Sequence, residues 1–202
     1  VTLADLFAHR SGLKDHGGDL LEDLGFGRDE IIYRLRYLEP EYSFRDGYAY
    51  TNFGLTAAAD AVAKSLGTTW EDLSEERLYA PLGMSRSSSR LADFLAEPNR
   101  ATPHVKAADG AGFVVAPMQR DPDPQSPAGG ANSTANDVAQ WLRLQLGQGA
   151  LDGQELILTA ALDPMHRPQA FSSIPPDLAQ QRTGFYGLGL NVSFTDFGAV
   201  QW

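Results

Sequence analysis

Apolar residues recur at intervals of three and four along most of the chain, which is the spacing of amphipathic helices. Residues with special backbone preferences mark the ends of these runs: Thr2 is a predicted N-cap, Pro40 stops a helix, and Gly67 is a predicted C-cap. We expect helices over residues 3–7, 31–38, 52–66, 70–78, 133–146 and 159–165. The pattern therefore predicts a mostly helical chain.

The helix after Ser133 has the clearest pattern. We expect Ser133 to cap it and the following glycines to end it. The residues that the pattern turns toward the interior are Val138, Trp141, Leu142 and Leu146.

Strand-like patterns occupy two segments. Residues 101–115 contain short β-prone runs on either side of Asp109-Gly110, a typical hairpin turn. Residues 186–200 alternate around Asp196 and predict a second hairpin. Two segments rich in glycine or proline are predicted to be irregular loops, namely 15–27 and 121–130. Together these patterns predict an α+β fold whose strands gather toward the C-terminal end.

The composition narrows the class of protein. The chain has 202 residues, of which 43% are hydrophobic and 21% charged, as in an ordinary globular domain. Its net charge of −10 repels phosphate backbones, so we expect no nucleic-acid partner. The apolar runs are far shorter than the roughly 20 residues that a membrane span needs, so we expect no span in this segment. The absence of cysteine excludes disulfides and thiolate catalysis, and it suits periplasm and cytoplasm alike.

Both ends of the sequence look interrupted. The chain starts at Val1 without the features of a signal peptide and stops at Trp202 within a predicted strand. We therefore expect an internal fragment that forms a single partial domain. Sheet edges left unpaired by such a truncation favour self-association, which we expect through residues 186–202.

Five short stretches occur in an order typical of one known family. They are VTLADLFAHRSGL at residues 1–13, YAYTNFG at 48–54, PLGM at 81–84, PAGGANSTANDVA at 127–139 and YGLGL at 186–190. Each is weak alone, but together they span the chain. In this combination the sequence resembles the serine β-lactamase-like superfamily, which includes class C β-lactamases, D-alanyl-D-alanine carboxypeptidases and esterases.

The resemblance implies the helical lobe of the β-lactamase/transpeptidase-like fold, at about residues 1–165, followed by strands of a truncated antiparallel sheet at about 184–202. Members of that family also carry a nucleophilic Ser-x-x-Lys motif before the first stretch and a Lys/His-x-Gly motif after the last one. This sequence lies between those motifs. The resemblance thus implies a parent serine hydrolase of the periplasm or outside the cell, with a cytoplasmic location left open, and an inert fragment.

Within the family pattern, Tyr50 matches the catalytic tyrosine and Asn52 the asparagine of the Y-x-N motif. A tyrosine acts as a base near neutrality only where cations stabilise its phenolate, and asparagine offers both a donor and an acceptor. Gly129, Gly130 and Asn132 match the loop that edges the substrate cleft, and they are the predicted substrate-binding residues. The resemblance makes Thr51 a spacer.

Several alternatives stay open at this point. Tyr48 competes with Tyr50 for the catalytic assignment, because the two tyrosines are two positions apart, but no asparagine lies two residues after Tyr48. Asn132 either lines the cleft or helps to cap the next helix. Arg45 either meets a substrate carboxylate or is an exposed arginine near Asp46.

Two segments match family motifs in amino-acid sequence but not in their expected structural context. Ser11-Gly12-Leu13-Lys14 is a literal Ser-x-x-Lys, but its glycine and the nearby Gly17-Gly18 argue against the rigid helical turn that this chemistry needs. Arg182-Thr183-Gly184 precedes the YGLGL strand, whereas the family motif follows it. We therefore assign neither a catalytic role.

The four histidines are scattered, so we expect no metal and no cofactor. His9 is expected to be structural. The substrate would be a small molecule or peptide: a β-lactam, a D-amino-acid peptide or an ester. Because Tyr50-Thr51-Asn52 differs from the Tyr-Ala-Asn commonest in dedicated class C enzymes, we favour a general esterase or peptidase. The rival hypotheses are a catalytically silent scaffold of the same fold and an unrelated helical interaction module.

Overall fold

The computed structural model describes residues 1–118, 120–174, 182–196 and 198–201. The helices in this part of the chain are α1 Leu3–Phe7, α2 Asp19–Asp23, α3 Arg28–Arg34, α4 Asn52–Ser65, α5 Trp70–Ser74, α6 Leu91–Ala96, α7 Ser126–Gly129, α8 Ala135–Leu146 and α9 Thr159–Leu162. The strands are β1 His104–Lys106, β2 Phe113–Val115, β3 Ala150–Leu151, β4 Gln154–Glu155, β5 Ala170–Ser173, β6 Gly184–Tyr186, β7 Asn191–Thr195 and β8 Gly198–Gln201. Short 3-10 segments cover Leu35–Tyr37, Asp123–Gln125 and Asp163–His166, and Glu75–Tyr79 is a π-helical turn. The α+β prediction is confirmed.

Local capping chemistry sets the start of the helices that matter for the site. Thr2 and Asp5 form a capping box at α1, in which each side chain accepts a hydrogen bond from the other residue's backbone N–H. Thr51 caps α4 by accepting the Gly54 N–H at 3.1 Å. The helix ends at Ser65, and Gly67 follows in the left-handed region at φ +71°. The prediction for this helix is confirmed.

The prediction for α8 is wrong in its cap and in most of its buried face. Thr134, not Ser133, is the N-cap, and its side chain accepts the Asp137 N–H. Of the four residues expected to face inward, Trp141 is partly buried against the cluster that contains Leu144, whereas Val138, Leu142 and Leu146 are 41%, 54% and 85% exposed. The buried residues of the helix are Asp137 and Leu144, and the Asp137 carboxylate accepts hydrogen bonds from the Arg86 N–H and the Ser87 hydroxyl. The buried face therefore combines a polar tertiary contact with apolar packing.

The two predicted loops contain short helices. Residues 15–27 include α2, which begins after Gly18 at φ +99°. Residues 121–130 include the Asp123–Gln125 turn and α7, each with proline as its second residue. Segments of three to five residues are too short to display a helical repeat, which is why the pattern missed them.

The strands form antiparallel pairs throughout. Strands β5 to β8 make one sheet in sequence order, with Tyr186 of β6 opposite Ala170 of β5 and Asn191 of β7. Strands β7 and β8 pair around Asp196, and β1 pairs with β2 around Asp109-Gly110, so both predicted hairpins are confirmed. No helix among the described residues is long and apolar enough to cross a bilayer.

Two apolar clusters hold the helices together. One joins Ile31 and Leu35 to Phe53 of α4, and the other joins Tyr79, Leu82 and Met84 to Leu144 of α8. Helix α4 also packs against α1 and α7. The start of α4 is thereby fixed between the N-terminal helix and the 126–130 segment.

Candidate active site

Tyr50 lies in a segment without regular secondary structure, residues 48–51, between two histidines that both have left-handed backbones. On one side, His9 receives hydrogen bonds from the residues that flank Tyr50: its carbonyl oxygen accepts the Ala49 N–H at 3.0 Å and its Nδ1 accepts the Thr51 N–H at 3.2 Å. On the other side, the His16 N–H donates to the Tyr50 carbonyl at 2.7 Å. The backbone of Tyr50 is therefore held from both sides.

The ring of Tyr50 belongs to an aromatic cluster centred on His9. Ring centroids lie 4.5 Å from His9 to Tyr50, 4.8 Å from His9 to Tyr186 and 5.7 Å from His9 to Tyr48. His9 is 1% exposed, and Tyr186 comes from β6. The cluster thus joins the end of α1 to the sheet, with Tyr50 half-buried at its side.

Asn52 is the first residue of α4, two positions after Tyr50. Its Nδ2 donates to Asp19 Oδ2 at 2.9 Å, and the same oxygen lies 3.0 Å from His16 Nδ1. Asp19 therefore anchors both the asparagine side chain and the exposed His16 ring, whose centroid lies 5.4 Å from that of the Tyr50 ring with the planes tilted by 49°. The structure brings Tyr50 and Asn52 together through His16 and Asp19.

The electrostatic surroundings favour a protonated phenol. Burial raises the pKa of Tyr50, and the negative charge of Asp19 raises it further. Burial also raises the pKa of Tyr186 to about 12, whereas it lowers the pKa of His9 to about 4, so that the imidazole is neutral. Neither the neutral His9 ring nor the Asp19 carboxylate stabilises a phenolate, so a base role for Tyr50 requires a cation beside its hydroxyl.

Gly129 and Gly130, the two glycines predicted to edge the cleft, lie at the end of α7, which packs against α4. The Gly130 N–H donates to the Ser126 carbonyl at 2.9 Å, and its own carbonyl accepts the Asn132 Nδ2 at 2.9 Å. A Cβ at Gly130 would meet the Ser126 Cα at 2.6 Å, so close packing requires glycine there. Gly129 is exposed and has room for a Cβ.

Asn132 lines a cavity of its own. Its backbone pairs with Ser88, and the residue lines a cavity of about 380 Å³ together with Arg86, Phe94 and Arg100. The described residues around this cavity include neither Tyr50 nor Asn52. The structure does not show the helix-cap alternative for Asn132, because Thr134 caps α8 and the Asn132 amide donates to the Gly130 carbonyl.

Arg45 has a structural partner that neither of our interpretations included. Its Nε and Nη2 donate to the two carboxylate oxygens of Asp5 at 2.8 and 3.0 Å, and Arg10 donates to the same carboxylate at 3.0 Å. Asp5 is fully buried, and the Arg45 guanidinium holds the pKa of its carboxyl well below the usual range. Arg10 also donates to the Gln169 carbonyl, which ties this ion pair to the segment before β5.

The two literal motif matches do not form the arrangements that their letters suggest. Ser11 to Lys14 lies outside the helices, and Gly12 has φ +90°. Ser11 Oγ accepts the Leu13 N–H at 3.3 Å, which is a local turn contact. Arg182 donates to the Phe194 carbonyl and the Asp196 carboxylate, so it braces the β7–β8 hairpin.

Sequence reasoning misses the contacts of two residues that shape this site. Thr51 is the N-cap of α4 and not a spacer, and Asp19, in a segment predicted to be a loop, begins α2 and accepts the Asn52 amide. His9, expected to be structural, holds the backbone on both sides of Tyr50, and it lies in the first family-like stretch. The Asn52–Asp19 contact joins residues 33 positions apart and leaves no local trace in the sequence.

Comparison with known proteins agrees with the geometry of the fold. A family model described as Beta-lactamase matches residues 1–202. The chain is 28% identical over 146 residues to the Unguisins hydrolase ungD' of Aspergillus campestris, covering 70% of this chain and 27% of that protein. The octameric penicillin-binding protein homologue from Pyrococcus abyssi superposes with a TM-score of 0.74 at 20% identity, over 93% of this chain and 42% of its own. The D-amino acid amidase from Ochrobactrum anthropi SV3 gives a TM-score of 0.73 at 19% identity, over 98% and 57%. The chain thus spans less than two thirds of each of these proteins.

Proposed function

The chain belongs to the beta-lactamase family, and on this basis we propose that its parent protein is a serine hydrolase that acts through an acyl-enzyme on amide or ester substrates. The observation that carries the proposal is the pairing of Tyr50 with Asn52 at the start of α4, held by His9 on one side and by His16 and Asp19 on the other.

We propose that Tyr50 moves protons and that Asn52 orients the reacting groups. In acylation, the Tyr50 phenolate takes the proton of the nucleophilic serine as its oxygen attacks the substrate carbonyl, and the phenol then returns that proton to the leaving amine or alkoxide. In deacylation, Tyr50 takes a proton from water as the water oxygen bonds to the acyl carbon. It then returns the proton to the serine oxygen as the bond between that oxygen and the acyl carbon breaks. Because the pKa of Tyr50 is raised within this chain, its phenolate needs a nearby cation, and we propose a lysine ammonium for this role.

We propose that the serine and lysine lie outside residues 1–202, in a partner lobe of the same domain. The non-helical geometry of Ser11 to Lys14 supports this, because a serine and a lysine three positions apart share a face only on a helix. The greater length of the matched relatives supports it too. On this proposal the 202-residue chain alone is inactive.

Gly129, Gly130 and Asn132 are proposed substrate-binding residues. The packing of α7 against α4 supports the two glycines, because it places their segment beside the helix that Asn52 begins. The support for Asn132 is weaker, since its side chain faces the 380 Å³ cavity.

For the substrate class we propose an amide or ester of a small molecule or peptide. The D-amino acid amidase among the structural relatives supports amides. β-Lactams stay within the class because they carry the same reacting carbonyl.

The test uses the full-length protein, a fluorescent penicillin and, separately, a fluorophosphonate, with intact mass as the readout. Tyr50→Phe removes the proton-carrying hydroxyl and keeps the ring of the cluster. We expect labelling of the wild type and loss of acylation in this variant. The matched control is Tyr48→Phe, which removes a hydroxyl from the same cluster and should leave labelling unchanged.

Each other outcome has a definite meaning. Labelling lost in Tyr48→Phe and kept in Tyr50→Phe would reassign the base. Labelling of the isolated chain at Ser11 would place the nucleophile within residues 1–202. If neither protein is labelled by either probe, the catalytically silent scaffold of the same fold replaces the hydrolase.

We also propose that this 202-residue chain self-associates. The described sheet ends in β5 on one side and β8 on the other, and exposed strand edges favour pairing between chains. The octameric state of the Pyrococcus abyssi homologue supports this. Light scattering of the isolated 202-residue chain tests it, and a monomer at high concentration would contradict it. Trp202, at the end of the segment proposed to pair, lies outside the described residues.

A further inference from the structure

The imidazole of His9 and its backbone carbonyl contact the two residues on either side of Tyr50. Its carbonyl oxygen accepts the Ala49 N–H and its Nδ1 accepts the Thr51 N–H. Thr51 is in turn the N-cap of α4, which begins at Asn52. A single residue therefore fixes the backbone from which both proposed catalytic side chains project.

Few residue types suit the backbone conformation and the burial at position 9. His9 has φ +54°, in the left-handed region where histidine, asparagine and aspartate are the side chains that occur most readily. It is 1% exposed, so a charged ring would be costly there. Since Nδ1 accepts a hydrogen bond, the neutral ring carries its proton on Nε2.

The buried Nε2 indicates that Nδ1 is the atom that matters. Among the described residues, Nε2 has no hydrogen-bond partner. An unpaired buried donor destabilises a fold, and an apolar ring of similar size would avoid that cost while packing against Tyr50 and Tyr186 equally well. The gain from having histidine here therefore lies in the acceptor that it presents to Thr51.

We propose that His9 is a positioning residue for the acyl-transfer reaction, whose Nδ1 sets the angle at which Tyr50 and Asn52 enter the cleft. This inference rests on the proposed function. It assigns His9 no contact with the substrate, and the role belongs to the acceptor atom rather than to the ring.

Three substitutions separate the acceptor from the ring. His9→Asn keeps an acceptor, because the asparagine Oδ1 stands at the same number of bonds from Cβ as Nδ1, and asparagine tolerates the left-handed backbone. His9→Gln moves the acceptor one bond farther out. His9→Phe keeps an aromatic ring and removes the acceptor.

The experiment measures kcat and KM of the full-length protein with a chromogenic ester or cephalosporin, well below each variant's melting temperature. We expect His9→Phe and His9→Gln to lower kcat by about 100-fold, the cost of a displacement of about 1 Å at a reacting group, with little change in KM. His9→Asn should stay within about threefold of the wild type, because a conservative acceptor restores the contact.

The outcomes distinguish this inference from the proposed function. An active wild type, an inactive Tyr50→Phe and an unimpaired His9→Phe would overturn the role of His9 alone. Equal losses in His9→Asn and His9→Gln would overturn it too, and that pair decides the question if His9→Phe does not fold. An inactive wild type, or a fully active Tyr50→Phe, removes the proposed function and this inference with it.

Discussion

The side-chain amide of Asn52 donates a hydrogen bond to Asp19 Oδ2 at 2.9 Å, across 33 positions of sequence. This contact holds the first residue of α4 against α2. It also places a carboxylate whose charge raises the pKa of Tyr50. Asp19 therefore has two separable effects on the proposed site, one geometric and one electrostatic.

Substitutions at Asp19 should separate those effects in the full-length protein. Asp19→Ala removes the anchor of Asn52, and we expect kcat to fall by about tenfold or more. Asp19→Asn keeps an acceptor for Asn52 and removes the negative charge, which should lower the pKa of Tyr50. We therefore expect the pH of half-maximal acylation to decrease and kcat to be retained. Pre-steady-state acylation rates measured from pH 5 to about 10 would give both the maximal rate and the pH of half-maximal acylation. Asp23→Ala, on the same short helix with a half-exposed side chain, is the control. A normal rate in Asp19→Ala would contradict the anchoring role.

His9 should make stability depend on pH. Its pKa is about 4 in the folded protein against 6.5 in an unfolded chain, so the unfolded state binds the proton first as the pH falls. The free energy of unfolding should therefore be highest above about 6.5 and should fall by roughly 3 kcal/mol between pH 6.5 and 4. Urea midpoints at several pH values measure this, with His9→Asn as the variant that lacks the titration. The same slope in both proteins would show that other groups cause the dependence.

Gly130 and Gly129 should respond differently to alanine. A Cβ at Gly130 would lie 2.6 Å from the Ser126 Cα, and the backbone must move to admit it, so we expect a loss of about 1–3 kcal/mol. At Gly129 the nearest atom to a Cβ is Gln125 Oε1 at 3.8 Å, so stability should change by less than about 0.5 kcal/mol. Denaturant unfolding checks both. A raised KM in Gly129→Ala without a stability change would support substrate contact at this edge, whereas equal stability losses would contradict the packing argument.

Leu144 and Leu142 test the buried face of α8. Leu144 is 0% exposed and Leu142 54%, although the sequence pattern favoured Leu142 as the buried residue. We expect Leu144→Ala to destabilise the protein by about 2–5 kcal/mol through the cavity that it leaves. Leu142→Ala should cost less than about 1 kcal/mol. Thermal unfolding of the two variants is sufficient, and similar melting temperatures would mean that another part of the protein covers Leu142.

Elements with local chemical signals could be predicted from the sequence. The Thr2 cap, the Pro40 stop and the Asp109-Gly110 turn each depend on residues within a few positions of one another, and all three lie where we expected them. The α4 helix is of the same kind, because its alanine-rich interior and following glycine act locally. The family-like order of the short stretches predicted the fold, which no single element could.

What the sequence could not show depends on contacts between distant residues. The buried face of α8 includes Asp137, whose partners Arg86 and Ser87 lie some fifty positions earlier. Arg45 is held by Asp5 from the first helix, so its neighbours in sequence gave no guide to its role. In the site, Tyr50 and Asn52 carry the family motif and stay predictions, whereas His9 and Asp19 emerged only when the fold placed them beside that motif.

The ring cluster around His9 has a consequence for the time course of folding. His9 comes from the end of the first helix and Tyr186 from the sheet near the other end of the chain, yet their rings lie 4.8 Å apart. Contacts between such remote residues form slowly, because the chain loses the entropy of closing a long loop before the contact contributes any favourable energy. Tyr50, whose ring lies against His9, therefore acquires its final surroundings late. A refolding protein should regain most of its helical circular dichroism before it regains the ability to be acylated, so that the delay between the two signals reports the closure of this cluster.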